Sequence, residues 1–410
     1  MASTSRRNFI ATSGAAASAL TGPLRLAAAA AGPVRIRNIE IFPIEIPTPK
    51  EELEAGKYAR YTYYEVETDA GVRGCSFDRG TEYRQLDRIR PALVGQDLFA
   101  IERHLKAGLH RWGGLEEATW DAIGKIAGQP VYRLLGGATP RLKVYLTVVW
   151  RGKADQSQVP YKDQVEFALK MKQAGYKGLK IRAWRPNPTD DADACGEIRA
   201  AVGPDFALMV DRTADLNGLW SYETGLRVAR ALEKHNVAWL EEPFARDDFF
   251  GPARLAREVD IRISGGERFE GLDAYRECLV HDTYDILQPD TVICGGIFMA
   301  RKIAALAEAF HKPVTLHGSM GLRLAGWIQV SAAIGAEWQE MAIITPPMLP
   351  EEQWSPALKV LNTPTPFTIR DGYVDVPQAP GLGLDVNREA VARYRIPNSP
   401  VRPFYPQYPG

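Results

Sequence analysis

Seven short apolar segments recur along the chain at intervals of 23 to 31 residues, and each ends on a polar or charged residue. The residues that end these segments are Lys180, Asp211, Glu241, Glu267, Asp290, His317 and Glu340. Amphipathic stretches long enough for one helix each lie between the segments. A regular strand-then-helix repeat closes into a (β/α) barrel, whose active site is assembled at the carboxyl ends of the strands. The repeat therefore predicts an α/β barrel with these seven side chains around one mouth.

The length and composition of the chain fit a barrel with an additional domain. Its 410 residues, 45% of them hydrophobic, exceed the roughly 250 residues that one barrel needs. Fifty basic and 50 acidic residues give a net charge of zero, which argues against nucleic-acid binding and favours small-molecule chemistry. The four cysteines, Cys75, Cys195, Cys278 and Cys294, form no CxxC pair. We therefore expect buried, reduced thiols rather than a zinc site or a disulfide framework.

The first 33 residues differ in composition from the rest of the chain. Arg6 and Arg7 precede an Ala-rich, weakly apolar stretch, with small residues suited to cleavage near residues 29–31. This pattern resembles a twin-arginine export signal, so we expect a signal segment at residues 1–33 and a periplasmic protein. The alternatives are a disordered basic tail or an uncleaved membrane anchor. No other segment approaches the roughly 20 apolar residues of a membrane span, so we expect no stable membrane insertion after signal removal.

From residue 34 the sequence has the pattern of a folded domain. Two alternating runs, VRIRNIEIFPIEI and YTYYEVET, predict strands on either side of a polar loop, and residues 97–135 predict helix with a break at Pro130. We therefore assign a small α+β domain to residues 34–140 and the barrel to residues 141–345. Residues 346–410 contain a hairpin signal with Asp371-Gly372 as its turn. We expect this last segment to return and pack on the N-terminal domain.

Asp211, Glu241 and Glu267 end three consecutive predicted strands, so their carboxylates should lie side by side. One acidic residue at a strand end is usually a solvated terminus or a helix N-cap, but three in succession favour a ligand set. Carboxylate oxygens are hard ligands that suit Mg²⁺, an ion that keeps positions open for water or substrate. The sequence therefore predicts a Mg²⁺ site at these three residues.

Asp290 and His317 end the next two predicted strands. A carboxylate beside an imidazole holds the ring in one tautomer and raises its basicity. Next to a metal cluster, this pair predicts a general base or acid at His317.

Lys180 and Arg182 are two residues apart on one predicted strand, so both side chains should point to the barrel mouth. A lysine near a divalent cation would have a lowered pKa, whereas arginine stays protonated and binds carboxylates bidentately. The alternative is that either residue forms only an ion pair that closes the barrel.

These residues and their surrounding motifs strongly resemble the enolase superfamily and, within it, the mandelate racemase/muconate lactonizing enzyme family. The resemblance covers about residues 34–395 and is strongest to the mandelate racemase subgroup. The motifs that carry it are ATWDAIGKIAGQPVYRLLGG in the N-terminal domain, VD at Asp211, WLEEPF at Glu241, GGE at Glu267, QPD at Asp290, His317, and a glutamate at Glu340. The resemblance implies a (β/α)7β TIM-like barrel with an N-terminal α+β capping domain.

The resemblance also implies a chemistry and its residues. In the family, the substrate carboxylate binds Mg²⁺, a base removes the proton on the adjacent carbon, and the metal stabilises the enediolate. The matching positions are Asp211, Glu241 and Glu267 for the ligands, His317 and Asp290 for the catalytic pair, and Glu340 for the residue that hydrogen-bonds an enediolate oxygen. Glu242 would support the ligands without touching the ion.

One position departs from the family pattern. The usual Lys-x-Lys of the second strand is Lys180-Ile181-Arg182 here. An arginine, with an ordinary pKa above about 12, does not act as a base near neutrality, so racemisation by two opposed bases is not expected. A one-base reaction through His317 remains open, and the resemblance keeps Lys180 among the catalytic candidates.

Three residues are candidates for substrate binding. They are Arg182, Trp184 just past the second strand, and Thr213, which follows Asp211 on the same predicted strand face. Alternatively, Trp184 is an ordinary packing residue. In the family, capping-domain loops select the substrate, and here these loops are expected around residues 48–61 and after Gly74.

These features favour a Mg²⁺-dependent carbon–oxygen lyase that dehydrates an acid sugar or other hydroxy acid to a 2-keto-3-deoxy acid. An epimerase, racemase or cycloisomerase acting on a sugar acid or its lactone would share the proton abstraction. A third alternative is an exported sugar-acid binding protein without catalysis, although every metal and catalytic-pair residue is present. We expect a homo-oligomer with no nucleic-acid partner.

Overall fold

The structure, a computed structural model, describes residues 32–54, 57, 59–78, 86–149, 158–213, 218–318, 320–344 and 350–397. The described residues from Val34 onward belong to one compact unit. Residues 1–31, which include most of the predicted signal segment, lie outside the described residues. Among the described residues, no helix combines the length and the apolar character needed to span a bilayer. The domain limits expected near residues 140 and 345 stay predictions.

The N-terminal region contains an antiparallel sheet in the order β1-β2-β3. Its strands are β1 (Ile36–Glu45), β2 (Arg60–Thr68) and β3 (Arg73–Asp78). The alternating runs that predicted β1 and β2 pair with each other, with Ile41 opposite Tyr64. The helices described here are α1 (Lys50–Glu54), α2 (Leu86–Leu93), α3 (Ile101–Lys106), α4 (Gly113–Ala127) and α5 (Val131–Leu134). Pro130 separates α4 from α5, as predicted.

The next region forms the predicted barrel. Its described parallel strands are β4 (Arg141–Val149), β5 (Gly178–Arg182), β6 (Ala207–Asp211), β7 (Trp239–Glu241), β8 (Arg262–Gly265), β9 (Ile286–Leu287) and β10 (Trp338–Ile344). Neighbours pair in order from β4 to β9, and β10 pairs with β4, so the first and last barrel strands meet. One bridge between Leu287 and Val314 marks the seventh position. The fold prediction is confirmed, although β4, which ends on valine, was not among the segments recognised from the sequence.

Helices follow the barrel strands in sequence. Those in the described residues are α6 (Tyr161–Gln173), α7 (Asp190–Val202), α8 (Tyr222–Glu233), α9 (Phe250–Glu258), α10 (Asp273–Val280), α11 (Ile297–Ala309) and α12 (Leu324–Ile334). The start of α8 shows why such a helix begins where it does. The hydroxyl of Ser221 accepts the backbone N–H of Thr224 at 3.2 Å, which satisfies a donor that has no partner inside the helix.

A layer of large side chains fills the barrel on the amino-terminal side of the strand ends. Its buried members are Tyr145, Met209, Trp239, Ile286 and Trp338. The Tyr145 ring stands edge-on to Trp239 and Trp338, with centroids 5.4 and 5.9 Å apart, a favoured arrangement of aromatic rings. Polar groups next to this apolar layer must find partners among themselves, because burial without a partner is costly. The four cysteines are buried and unpaired, as predicted.

The C-terminal segment contacts both the barrel and the N-terminal region. It contains α13 (Pro350–Trp354), β11 (Ile369–Arg370), β12 (Tyr373–Asp375) and α14 (Arg388–Arg393). The predicted hairpin forms, and β12 pairs with β4 of the barrel. Farther along, the N–H of Leu382 donates to Asp121 of α4, and Arg388 pairs with Glu65 of β2.

Candidate active site

The three carboxylates predicted as metal ligands lie at neighbouring strand ends. Asp211 ends β6 and Glu241 ends β7, and the two are register partners in this parallel pair. Glu267 lies two residues beyond the end of β8. All three are buried, with 1%, 1% and 6% of their surface exposed. The parallel topology therefore brings these residues to one edge of the barrel.

Two of the carboxylates bind the cationic side chains of β5, Lys180 and Arg182. Lys180 Nζ lies 2.6 Å from Oε2 of Glu241, and Arg182 Nη1 donates to Oδ2 of Asp211. Buried carboxylates require such partners, because an uncompensated charge in a low-dielectric interior is unfavourable.

Glu267 is bound on both oxygens. Arg246 Nη2 lies 2.7 Å from Oε1, and His317 Nε2 lies 3.0 Å from Oε2. Burial alone would raise the pKa of Glu267, but the charges of His317 and Arg246 lower it. Lysine, arginine and histidine side chains thus occupy the carboxylate oxygens. Within the described residues, no group of three His, Cys, Asp or Glu side chains is arranged as a metal site.

Glu241 nevertheless keeps one oxygen suited to a metal ion. Its Oε2 accepts from Lys180 and from Gln288 Nε2, at 2.6 and 2.8 Å. Its Oε1 is buried and has no hydrogen-bond partner in the part of the chain that the structure describes. A buried carboxylate oxygen without a partner is unfavourable, and coordination of a cation would satisfy it. Asp211, Glu241 and Glu267 therefore fit a hard divalent cation such as Mg²⁺, once their present cationic partners release the oxygens.

The predicted pair of Asp290 and His317 forms. His317 Nδ1 donates to Asp290 Oδ2 at 3.0 Å, and Asp290 Oδ1 accepts the backbone N–H groups of Val292 and Ile293. His317 Nε2 lies 3.0 Å from Oε2 of Glu267, and because an ionised carboxylate only accepts, the ring donates from both nitrogens. Burial lowers the pKa of His317, but the charge of Glu267 and the hydrogen bond to Asp290 raise it to about 9. With this pKa the ring is protonated near neutral pH and donates to both carboxylates, so His317 can act as a general base only when Glu267 binds a cation instead of the ring.

Lys180 is enclosed in the barrel rather than exposed at its mouth. None of its surface is exposed, and its ammonium lies 2.9 Å from Glu340 Oε1 as well as close to Glu241. Burial lowers the pKa of Lys180, but the charges of these two carboxylates raise it above its ordinary value. The lowered pKa expected beside a divalent cation stays a prediction. The geometry favours the alternative of an ion pair that closes the barrel.

Glu340 accepts hydrogen bonds on both oxygens. Oε1 binds Lys180 and the hydroxyl of Thr147, and Oε2 accepts the N–H of Gly318 at 2.6 Å. Burial alone would raise the pKa of Glu340, but the charges of Lys180 and His317 lower it to about 2. An ionised carboxylate has no proton to donate. A hydrogen bond from Glu340 to a substrate oxygen would therefore require these contacts to rearrange.

The three candidate substrate-binding residues lie close to Asp211. Arg182 Nη1 also donates to Thr213 Oγ1 at 2.8 Å, and the Arg182 guanidinium lies 6.0 Å from the ring centroid of Trp184. Thr213 lies beyond β6 with φ of 47°, so the expectation that it continues the strand face is wrong. Its backbone N–H and hydroxyl bind Asp211 Oδ1 at 2.7 and 2.8 Å, which compensates a conformation that β-branched residues rarely adopt.

Two contacts of the site were not predicted from the sequence. Arg246 bridges Oε2 of Glu242 at 2.8 Å and Oε1 of Glu267 at 2.7 Å. Burial, reinforced by the charge of Glu267, raises the pKa of Glu242 to about 8. Gln288, which binds Glu241, opens the QPD motif that located Asp290. Both residues lie within or next to the acidic motifs WLEEPF and QPD, and this proximity was the sequence signal that could have identified them.

Comparison with known proteins gives consistent matches. Residues 163–390 match the family described as enolase C-terminal domain-like. Arabinonate dehydratase from Saccharolobus solfataricus is 30% identical over 284 residues, 69% of this chain and 71% of that protein. The 3,6-anhydro-alpha-L-galactonate cycloisomerase from Streptomyces coelicolor is 28% identical, with 80% of this chain and 82% of that protein covered. The crystal structure of D-glucarate dehydratase from Agrobacterium tumefaciens, complexed with magnesium, superposes with a TM-score of 0.75 at 26% identity, covering 88% of this chain and 99% of that one.

Proposed function

The chain belongs to the enolase C-terminal domain-like family and so to the enolase superfamily, and on this basis we propose that it is a Mg²⁺-dependent enzyme that removes the proton alpha to the carboxylate of an acid sugar. The proposed reaction is dehydration to a 2-keto-3-deoxy acid. The observation that carries the proposal is the position of His317, which binds Asp290 through one ring nitrogen and lies 3.0 Å from Glu267 through the other. A base beside a candidate ligand set is the arrangement that abstraction of an alpha proton needs.

Each residue of this site has a defined part in the proposed reaction. Asp211, Glu241 and Glu267 would hold Mg²⁺, and the bound ion supplies a Lewis acid for the substrate carboxylate. His317 Nε2 accepts the alpha proton, while Asp290 stabilises the imidazolium that results. The imidazolium then returns this proton to the beta hydroxyl, which leaves as water. Sites of this superfamily use a lysine or histidine base with Mg²⁺, so this assignment follows the family.

Arg182 supports a reaction with one base. A racemase or epimerase with two opposed bases needs a second group that loses its proton, and a guanidinium stays protonated near neutral pH. Similarity to arabinonate dehydratase supports dehydration. Similarity to a cycloisomerase supports a second candidate function. A cycloisomerase shares the proton abstraction, but its product is an isomer of the substrate with equal mass, and no water is released.

A stereochemically complete panel of acid sugars, incubated with the protein and Mg²⁺, tests this function. We expect one or a few acids to lose one water, as measured by mass spectrometry, and we expect a chelator to abolish the reaction. Products of unchanged mass would support the cycloisomerase instead, and binding without alpha-proton exchange would support a non-catalytic binding protein. The capping-domain loops expected to select the substrate lie partly outside the described residues, at 55, 56, 58 and 79–85. The expected homo-oligomer also stays a prediction.

We also propose that Arg6 and Arg7 direct export to the periplasm, a proposal supported by the composition of residues 1–33. Replacing both arginines by lysine is expected to retain the protein in the cytoplasm, as measured by fractionation and immunoblotting. The same double change at Arg35 and Arg37 is the control and should leave export unchanged. The exported chain should begin near residue 32 when its amino terminus is sequenced. Undiminished periplasmic protein in the first double variant would rule out this route.

A further inference from the structure

Glu116, in helix α4 of the N-terminal region, binds the start of barrel helix α11. Its two oxygens accept the backbone N–H groups of Ile297 at 2.7 Å and of Phe298 at 3.0 Å. The first N–H groups of a helix have no partner within the helix, and the helix dipole favours an acceptor there. Glu116 is fully buried, so this contact is protected from competing water.

The loop that begins at Asp290 leads directly into this helix start. Backbone N–H groups of this loop donate to Asp290 Oδ1, so the position of the carboxylate follows the position of the loop. The loop lies so close to α4 that a Cβ at Gly113 would collide with the backbone of Val292, and a Cβ at Gly296 with the carboxylate of Glu116. The loop therefore has little room to shift relative to α4.

A second contact joins the N-terminal sheet to His317. Asp78, the last residue of β3, accepts a hydrogen bond from Arg323 Nε at 2.7 Å, and both side chains are less than 10% exposed. The Arg323 guanidinium lies 4.9 Å from the ring centroid of Trp327. Trp327 Nε1 in turn donates to the backbone carbonyl of His317 at 2.6 Å. A continuous set of buried contacts thus runs from β3 to the backbone of His317.

We propose that the N-terminal region positions both members of the Asp290–His317 pair, Asp290 through Glu116 and His317 through Asp78, Arg323 and Trp327. Glu116 and Asp78 are then positioning residues for the base, although they lie outside the barrel. The inference rests on the proposed function, because it takes His317 as the base. A displacement of about 1 Å in a reacting group can lower the rate of the chemical step by roughly 100-fold, so small shifts of either contact matter.

Glu116→Gln and Asp78→Asn test the proposal, with Asp121→Asn as the matched control. Asp121 is a buried carboxylate of the same helix, but its oxygens bind the N–H groups of Cys75 and Leu382, away from the Asp290 and His317 loops. We expect both test variants to lower kcat and alpha-proton exchange roughly 10- to 100-fold with a much smaller change in KM. Asp121→Asn should lower the melting temperature while keeping kcat.

Hydrogen–deuterium exchange of backbone amides gives a readout that needs no substrate. Glu116→Gln should accelerate exchange in the peptide that carries Asp290 and Ile297, and Asp78→Asn in the peptide that carries His317 and Trp327, with neither change in Asp121→Asn. If the wild-type protein turns over no acid sugar, the proposed function fails, and this exchange pattern still decides whether the contacts hold the pair.

Two results would overturn the positioning role. One is wild-type kcat in both test variants despite a lowered melting temperature, and the other is an equal loss of kcat in Asp121→Asn. Should Asp78→Asn not fold, Arg323→Lys retains the charge facing Asp78 but loses the planar stack on Trp327. It should fold and lower kcat, and wild-type kcat in that variant would also overturn the proposal.

Discussion

His317→Asn is expected to abolish turnover and, with it, exchange of the substrate's alpha proton in deuterated water. The asparagine amide keeps a polar group near Asp290 but cannot accept a proton, and loss of a general base costs roughly 10²- to 10⁴-fold in rate. NMR of the alpha-proton signal, with any acid sugar that binds the wild-type protein, measures the effect. His281→Asn, which changes a histidine outside the site, should exchange at the wild-type rate.

Arg182→Lys, on β5, is the companion variant. A lysine ammonium can lose its proton where a guanidinium cannot, so slow exchange independent of His317 is expected to appear in this variant. If His317→Asn alone still exchanges the alpha proton at the wild-type rate, the assignment of the base is wrong. Lys180 would then be the base despite its enclosed position between Glu241 and Glu340.

Glu241→Gln is expected to eliminate Mg²⁺ binding and turnover while the protein stays folded. The substitution removes the charge of the carboxylate whose Oε1 has no hydrogen-bond partner among the described residues, and a neutral amide is a weaker ligand for a hard cation. Lys180 keeps its ion pair with Glu340, so the change does not leave a buried cation without a partner. Isothermal titration calorimetry with Mg²⁺, together with the melting temperature, measures both expectations.

The control for this variant is Glu277→Gln, which removes the same charge from the exposed surface of α10. It should bind Mg²⁺ as the wild-type protein does. Unchanged Mg²⁺ affinity in Glu241→Gln would refute the ligand assignment. Loss of affinity in both variants would show that net charge, and not coordination by Glu241, determines Mg²⁺ binding.

The residues at the strand ends could be predicted from the sequence. Each apolar run shows where a strand ends, and the parallel topology places these ends at the same edge of the barrel. Asp211, Glu241 and Asp290 each follow a short run that is buried in the structure, and parallel strands place such residues at one edge. His317 could be located in the same way, even though one bridge at Val314 marks its strand in the described residues. The hydrogen bond between His317 and Asp290 then follows from their adjacency in the barrel.

The partners of these residues could not be predicted, because they depend on contacts across the barrel. Spacing placed Lys180 on its strand but did not show that two carboxylates would bind it and raise its pKa. Thr213 was misplaced because the backbone turns left-handed just after β6, which is unusual for a β-branched residue. The ionised state of Glu340 depends in the same way on Lys180 and on Thr147, a residue of the strand that the sequence did not reveal.

The closure of the barrel by β4 and β10 has a consequence for synthesis of the chain. Strand β10, which pairs with one edge of β4, comes from late in the sequence, and Thr147 of β4 lies 193 residues before its partner Glu340. At roughly 5–20 residues per second, translation leaves this edge of β4 unpaired for about 10–40 s. An unpaired strand edge is a template for pairing with other chains. Pairing of this edge with other chains during synthesis is therefore an expected route to aggregation.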